Sequence, residues 1–390
     1  MPAPAAPSLS PPPAEPSAEP AAIPKPPQGL HFSAFVDANY GFQTAKQGTP
    51  VPFHRAFEWN NFSTASGSGT SQNGFSLSFA GIDASYDAGQ LGAKISLRAG
   101  PSVPIFYGGD KSTFGIQNIT QAYASWRPAP QLNIDFGQFS TIFGAEVAES
   151  WHDLNYSRGA LYYAMQPFWH TGLRATLTPA DHVAITGMVV NGVNTAHDDN
   201  ESPGLALQVS LTPNELFTSS LGWYTTPEPH SDQSQFDNFF DLVASLTVDK
   251  FSLVLNADLD VNATKTNTGP GYSQTIEHPL YWGVSLAAGY QATELFGVAL
   301  RGEFLSDADN QLYKVTTSMD GITYPYTKAT NLATVTGTLD FKPVRGAHNL
   351  IIRWDNRIET SNADIFFNRS EKPTDVWFGS ILGFVVTTDS

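Results

Sequence analysis

Apolar residues recur at every second position along about sixteen segments between residues 29 and 390, and this period constrains the fold more than any other feature. In one segment Leu253, Leu255, Ala257, Leu259 and Val261 alternate with Ser252, Val254, Asn256, Asp258 and Asp260. In another, Leu91, Ala93, Ile95, Leu97 and Ala99 alternate with Gln90, Gly92, Lys94, Ser96 and Arg98. Successive strand residues point to opposite faces, so each segment has one apolar face and one that is mostly polar or small. A soluble sandwich shows the same alternation; the connections separate the two. Here they alternate between short and long, as in a transmembrane barrel with short periplasmic turns and longer external loops.

The pattern predicts strands at 29–42, 74–87, 89–100, 116–127, 130–138, 169–178, 182–192, 203–212, 215–226, 236–248, 250–262, 280–291, 295–306, 328–341, 347–358 and 373–386. Turn chemistry marks the short connections, as at Asp87-Ala88-Gly89, Pro128-Ala129-Pro130, Thr178-Pro179-Ala180-Asp181, Thr212-Pro213-Asn214 and Asp249-Lys250. Gln291-Ala292-Thr293-Glu294 and Pro343-Val344-Arg345-Gly346 complete that set. The long connections are 43–73, 101–115, 139–168, 193–202, 227–235, 263–279, 307–327 and 359–372, so both ends of the series lie on the short-turn side. The expected fold is all-β: a closed antiparallel transmembrane β-barrel of about sixteen strands, with fourteen to eighteen compatible with the same reading.

Composition agrees with a wall that meets lipid on one side and water on the other. Charged residues make up 14% of the chain, against roughly 25% in an ordinary soluble domain. The mean hydropathy of −0.19 is far from that of a helical membrane protein, and no run of about 18 apolar residues is present. A net charge of −16 argues against nucleic acid as a partner. Cysteine is absent, which removes disulfides, thiolate metal sites and thiol nucleophiles together.

Residues 1–28 contain eleven prolines among Ala, Ser and Glu. Such a segment is expected to stay disordered and to act as a spacer, with a periplasmic docking role as the alternative. It lacks the charged start and apolar core of a signal peptide, so the expectation is an exported chain whose signal was removed ahead of this sequence. Aromatic residues fall near the strand ends on the outward register: Tyr40, Phe42, Phe75, Trp126, Trp223, Trp282, Tyr290, Phe296, Phe304, Phe341 and Trp354. That is where the two interfacial girdles of a membrane barrel would lie.

The stretch from Gln121 to Arg174 carries Gly137-Gln138-Phe139, Phe143-Gly144-Ala145-Glu146, Asn155-Tyr156-Ser157-Arg158 and His170-Thr171-Gly172-Leu173-Arg174. These residues resemble the beta-barrel porin type 2 family of bacterial outer membranes. The resemblance implies a barrel and an outer-membrane address, and names no substrate. Barrel proteins of this kind usually finish on a terminal Phe, whereas this chain continues from Phe384 to Ser390.

Catalytic motifs are missing. There is no Gly-x-Ser-x-Gly elbow and no His-Glu-x-x-His. His152-Asp153 and His170 lack a recognisable nucleophile, and Asp198-Asp199-Asn200-Glu201 lacks the ligand spacing of a calcium loop. No enzyme activity, cofactor or metal site is expected.

The informative charges lie on the inward register. Lys94, Arg98, Arg127 and Arg174 form an expected basic pore wall, and Asp241, Asp258, Asp260, Glu303 and Asp340 an acidic one. Arg353 and Arg357 return to basic character near the closure, while Asp135, Asp355 and Arg301 break the segregation. The connection 139–168 is long and rich in aromatics, a composition unlike that of a disordered loop. By topological similarity to general diffusion porins it is expected to fold inward, with Phe139, Ile142, Phe143, Leu161, Tyr162, Tyr163 and Phe168 against the wall. Glu146, Glu149 and Asp153 would then form a pore constriction; a loop packed over the barrel mouth is the alternative.

The resulting expectation is an outer-membrane porin passing small polar solutes and ions with weak cation preference. Its expected partners are outer-membrane lipid and lipopolysaccharide, and a homo-oligomer. The alternative is a surface-exposed binding or adhesion barrel with a plugged lumen, which pore conductance would separate from the first reading.

Overall fold

In the computed structural model, described for residues 29–49, 60–63, 68–108, 115–198, 202–227, 236–262, 264–268, 273–277, 280–309, 317–319, 322–324, 330–344 and 349–388, the alternating segments close into one sixteen-stranded antiparallel barrel. The strands are β1 (Gly29–Gln43), β2 (Gly74–Asp87), β3 (Leu91–Ala99), β4 (Ile119–Ala129), β5 (Leu132–Ser140) and β6 (Trp169–Ala180). They continue with β7 (Val183–Val190), β8 (Gly204–Asn214), β9 (Phe217–Pro227), β10 (Phe236–Val248) and β11 (Phe251–Val261). The last five are β12 (Leu280–Gln291), β13 (Phe296–Asp307), β14 (Thr330–Phe341), β15 (Leu350–Ser361) and β16 (Val376–Thr387). Each strand pairs with its sequence neighbours, and β16 closes on β1 with Ala38 opposite Phe384. Closure leaves no unpaired edge, which is what a strand-built wall in lipid requires. No described helix is long and apolar enough to cross a membrane.

The pleat sorts side chains as the sequence period predicts. On β15, Ile351, Arg353, Asp355, Arg357 and Glu359 are buried inside, while Trp354 and Ile358 are exposed outside. Tyr40, Phe75, Trp126, Trp282, Tyr290, Phe296, Phe304, Phe341 and Trp354 are among the exposed outer residues. In water such a surface would be a large aggregation liability; in a bilayer it is the solvated face.

Several turns are shorter than the sequence suggests. β4 runs through Pro128 to Ala129, β6 through Pro179 to Ala180 and β8 through Pro213 to Asn214. The ladders shift register near those ends of β4, β6 and β8, where a proline has no N–H to give. The segment 1–28, most of the acidic 198–201 stretch and parts of the longer connections lie outside the described residues.

Candidate functional site

The connection between β5 and β6, residues 141–168, runs inside the barrel and is tied to its inner wall by side chains from many strands. Phe139, assigned to the loop on sequence grounds, belongs to β5. On β1, Asp37 accepts hydrogen bonds from Ser150 Oγ at 2.7 Å and from the Tyr156 hydroxyl at 2.5 Å. On β15, Asp355 accepts from both the backbone N–H and the hydroxyl of Ser157, at 2.7 and 2.9 Å. Arg353 on the same strand donates to the carbonyls of Ser150 and Asp153, and Arg357 to that of Arg158. Thr338 on β14 accepts from Asn155 at 2.6 Å. On β11, Asn256 accepts from the Ala145 N–H at 3.1 Å and from Gln166.

Inner-face glycines provide the room for this crossing. A Cβ on Gly383 would lie 2.1 Å from the Tyr156 ring, on Gly222 2.6 Å from Phe143, and on Gly283 2.4 Å from Leu161. The wall is hollowed where the loop presents its largest groups. Phe143 also meets Phe239 edge-on at 5.7 Å, so aromatic packing fixes the descending limb. The ascending limb contains a short helix, Ala160–Met165. Its Tyr162 and Tyr163 pack on Phe106 of a second short helix, Val103–Phe106, in the connection after β3.

The loop carboxylates expected at a constriction are present inside the barrel but are not free. Glu146 pairs with Arg301 of β13 and also accepts the Gly159 N–H at 2.7 Å. Glu149 pairs with Arg98 of β3 at 2.8 Å. Asp153 turns back into its own loop, where it accepts the Val147 N–H at 3.0 Å. Burial raises the carboxyl pKa of both Glu146 and Asp153; Arg301 opposes the rise in Glu146, and the charge on Glu146 adds to that of Asp153.

The picture of one basic and one acidic wall gives way to paired charges. On the wall read as basic, Arg98 also meets Asp83 at 3.0 Å, Arg127 meets Asp87, and Arg174 meets Asp135 at 2.7 Å. Lys94 lies on the same inner face, partly exposed. On the wall read as acidic, Glu303 is held between Arg301 at 3.2 Å and Arg357 at 3.7 Å, and Asp340 faces Arg353 at 3.5 Å. Asp241 and Asp258 sit on either side of Asn256, whose amide donates to both, at 3.0 and 2.8 Å. They belong to the seat of the loop. Asp260 is buried further toward the external end of β11. The physical reason is cross-strand register: an inner-face charge in so dry a setting needs an opposite charge or donor within reach.

Sequence reasoning missed Asp37, Tyr156, Asp355 and Arg301 as anchors. A signal was available, because Tyr156 belongs to the Asn155-Tyr156-Ser157-Arg158 motif, all four members of which are almost completely buried.

Exposure divides the lumen in two. Along β13–β15 the side chains of Arg301, Glu303, Arg357 and Glu359 are 0–2% exposed. Across the lumen Asp83, Arg127 and Arg174 retain 20, 22 and 18%, although Arg98, Asp87 and Asp135 beside them are 5, 7 and 4% exposed. The wall charges are therefore driest along β13–β15, and the more exposed ones lie across the lumen on β2, β4 and β6. Among the described residues, no group of three His, Asp or Glu side chains could hold a metal ion.

Comparison with solved structures finds the same architecture. OmpT of Vibrio cholerae covers 93% of this chain over 99% of its own length, with a TM-score of 0.54 and 10% identity. The channel DcaP of Acinetobacter baumannii covers 91% over 96%, at 0.55 and 12%. OprB of Pseudomonas putida covers 92% over 94%, at 0.56 and 10%. At these identities the likeness shows the fold alone. No curated protein matches the chain by sequence. A family model does, over residues 29–387: the chain is an outer-membrane barrel belonging to the family described as "Putative beta-barrel porin-2, OmpL-like".

Proposed function

We propose that the protein is a passive diffusion channel for small polar solutes and ions, and that loop 141–168 sets its aperture. The observation that carries this reading is the asymmetric exposure of the wall charges around that loop: 0–2% for Arg301, Glu303, Arg357 and Glu359 on β13 and β15, about 20% for Asp83, Arg127 and Arg174 on β2, β4 and β6. A barrel of about sixteen strands is too wide for wall side chains to fill. An inward loop that leaves one side wet narrows the lumen and does not plug it. The solute path then runs between the loop and the wall bearing Asp83, Lys94, Arg98, Arg127 and Arg174. The dry charges on β13 and β15 are also what the plugged binding barrel would show, and conductance decides between them.

Selectivity follows from what the pairs leave over. The guanidiniums of Arg98, Arg127 and Arg174 are each matched by a carboxylate, so the wall read as basic carries little net positive charge. With the chain at −16 overall, the field in the lumen favours cations weakly. This reading also includes a homo-oligomer in lipopolysaccharide-containing membrane; the related fold of OmpT from Vibrio cholerae is recorded in a trimer form.

The test is a planar-bilayer recording in a potassium chloride gradient. The proposal predicts discrete conductance steps and a reversal potential on the cation side. Changing Glu146 and Glu149 together to Gln removes one carboxylate from Arg301 and one from Arg98, which keep Glu303 and Asp83. The reversal potential then moves toward anions, more at about 0.01 M salt, where the Debye length is about 30 Å, than at about 1 M, where it is about 3 Å. Absence of steps from folded protein would overturn the channel and favour the plugged barrel.

A further inference from the structure

Among the described residues, the middle of the barrel's outer face carries an amide, Asn356, where the bilayer offers it nothing. Asn356 lies in the middle of β15 and points outward, with Trp354 and Ile358 exposed on either side of it along the strand. Its register partners are Gly337 on β14 and Ser380 on β16. Those neighbours are themselves flanked by exposed Val335, Leu339 and Leu382. The amide therefore sits within the apolar belt, away from both aqueous rims. Its side chain makes no hydrogen bond to any described residue. Asn238, another outward amide, lies near the external end of β10, accepts from the Trp223 indole at 3.2 Å and donates to the Phe236 carbonyl.

An unpaired amide in hydrocarbon is expensive, and lipid chains have neither donor nor acceptor to relieve it. The surface around it is also shaped to be covered. The outward positions at Gly337 and Gly302 open onto empty space, which leaves a shallow trough beside the amide. Beside it Ser380 accepts the Trp354 indole N–H at 2.8 Å. The Asn356 amide thus offers both a donor and an acceptor, in a barrel whose wall backbone is committed to its own ladder.

We propose that Asn356, Ser380 and the trough at Gly337 form a self-association surface, covered by the same patch of a second copy of this chain about a rotation axis of the assembly. About a two-fold axis such a contact is self-complementary, each Asn356 amide meeting the amide of the other copy. The proposal specifies the surface used by the homo-oligomer included in the functional reading above and rests on that part of it.

The chain contains no cysteine, so a single introduced thiol reports one position. Asn356→Cys, labelled with a benzophenone maleimide and irradiated in vesicles, is expected to give a covalent pair of chains. Leu207→Cys, on the lipid face of β8 across the barrel, is expected to give none. Should Asn356→Cys fail to fold, Ser380→Cys reports the same patch. Asn356→Leu should weaken association about tenfold in analytical ultracentrifugation while leaving single-barrel conductance unchanged. No covalent pair from either patch position, equal pairs from patch and control, or unaltered association of Asn356→Leu would overturn the surface. A protein that pairs through this patch but conducts nothing would overturn the channel reading alone.

Discussion

Replacing Glu146 with Gln tests the lock between loop and wall at one residue. The carboxylate makes two contacts: one oxygen is on the Arg301 guanidinium, which is 1% exposed, and the other accepts the Gly159 N–H at 2.7 Å. Glutamine keeps the volume and can still accept from Gly159, so packing is preserved and the charge alone is lost. Stripping a buried cation of its whole partner costs about 3–5 kcal/mol. Arg301 retains Glu303 at 3.2 Å, so the smaller figure for a hydrogen bond to a charged group applies, about 1.5–3 kcal/mol. Urea unfolding of the refolded barrel, followed by tryptophan fluorescence and by heat-modifiable electrophoretic mobility, reads this directly. The same variant should show more current flicker, because the loop spends more time off its seat. A change below about 0.5 kcal/mol, the scatter of ordinary surface substitutions, with unaltered current noise would mean that the pair does not hold the loop.

Gly383→Ala places a methyl group where the Tyr156 ring lies 2.1 Å away; it should displace the ring from Asp37 and destabilise the barrel by about 1–3 kcal/mol, measured in the same titration. Leu242→Arg, on the lipid face near the middle of β10, should cost about 2–4 kcal/mol. Ser245→Arg, on the partly exposed inner face of that strand, should cost under about 1 kcal/mol because the guanidinium reaches water. Equal losses at both positions would invert the inside–outside assignment.

The barrel was legible because a period of two survives without knowledge of partners. Each barrel strand follows from alternation, whereas the short hairpins within the connections, such as Thr264–Thr268 with Ser273–Glu277, do not, and the ends drift where that signal fades, as at β15, expected to begin at 347 and beginning at Leu350. The aromatics of the 139–168 connection called for burial but did not choose between the lumen and the barrel mouth. The pairing of charges was not legible. Whether Arg98 faces an open pore or Glu149 depends on where a 28-residue connection turns, and Asp83 reaches Arg98 only because Ile82 pairs with Leu97 across two strands. Asn256 shows the consequence: by alternation it is one more polar lumen residue, yet it joins Ala145, Gln166, Asp241 and Asp258 and seats the loop.

Single-channel conductance, compared between the full chain and a variant with residues 147–158 replaced by a short Gly-Ser linker, tests the central claim most directly. If the loop sets the aperture, the shortened variant conducts severalfold more per step and discriminates less between ions, with its heat-modifiable barrel intact. An intact barrel whose conductance and reversal potential are unchanged would place the constriction elsewhere and contradict the account.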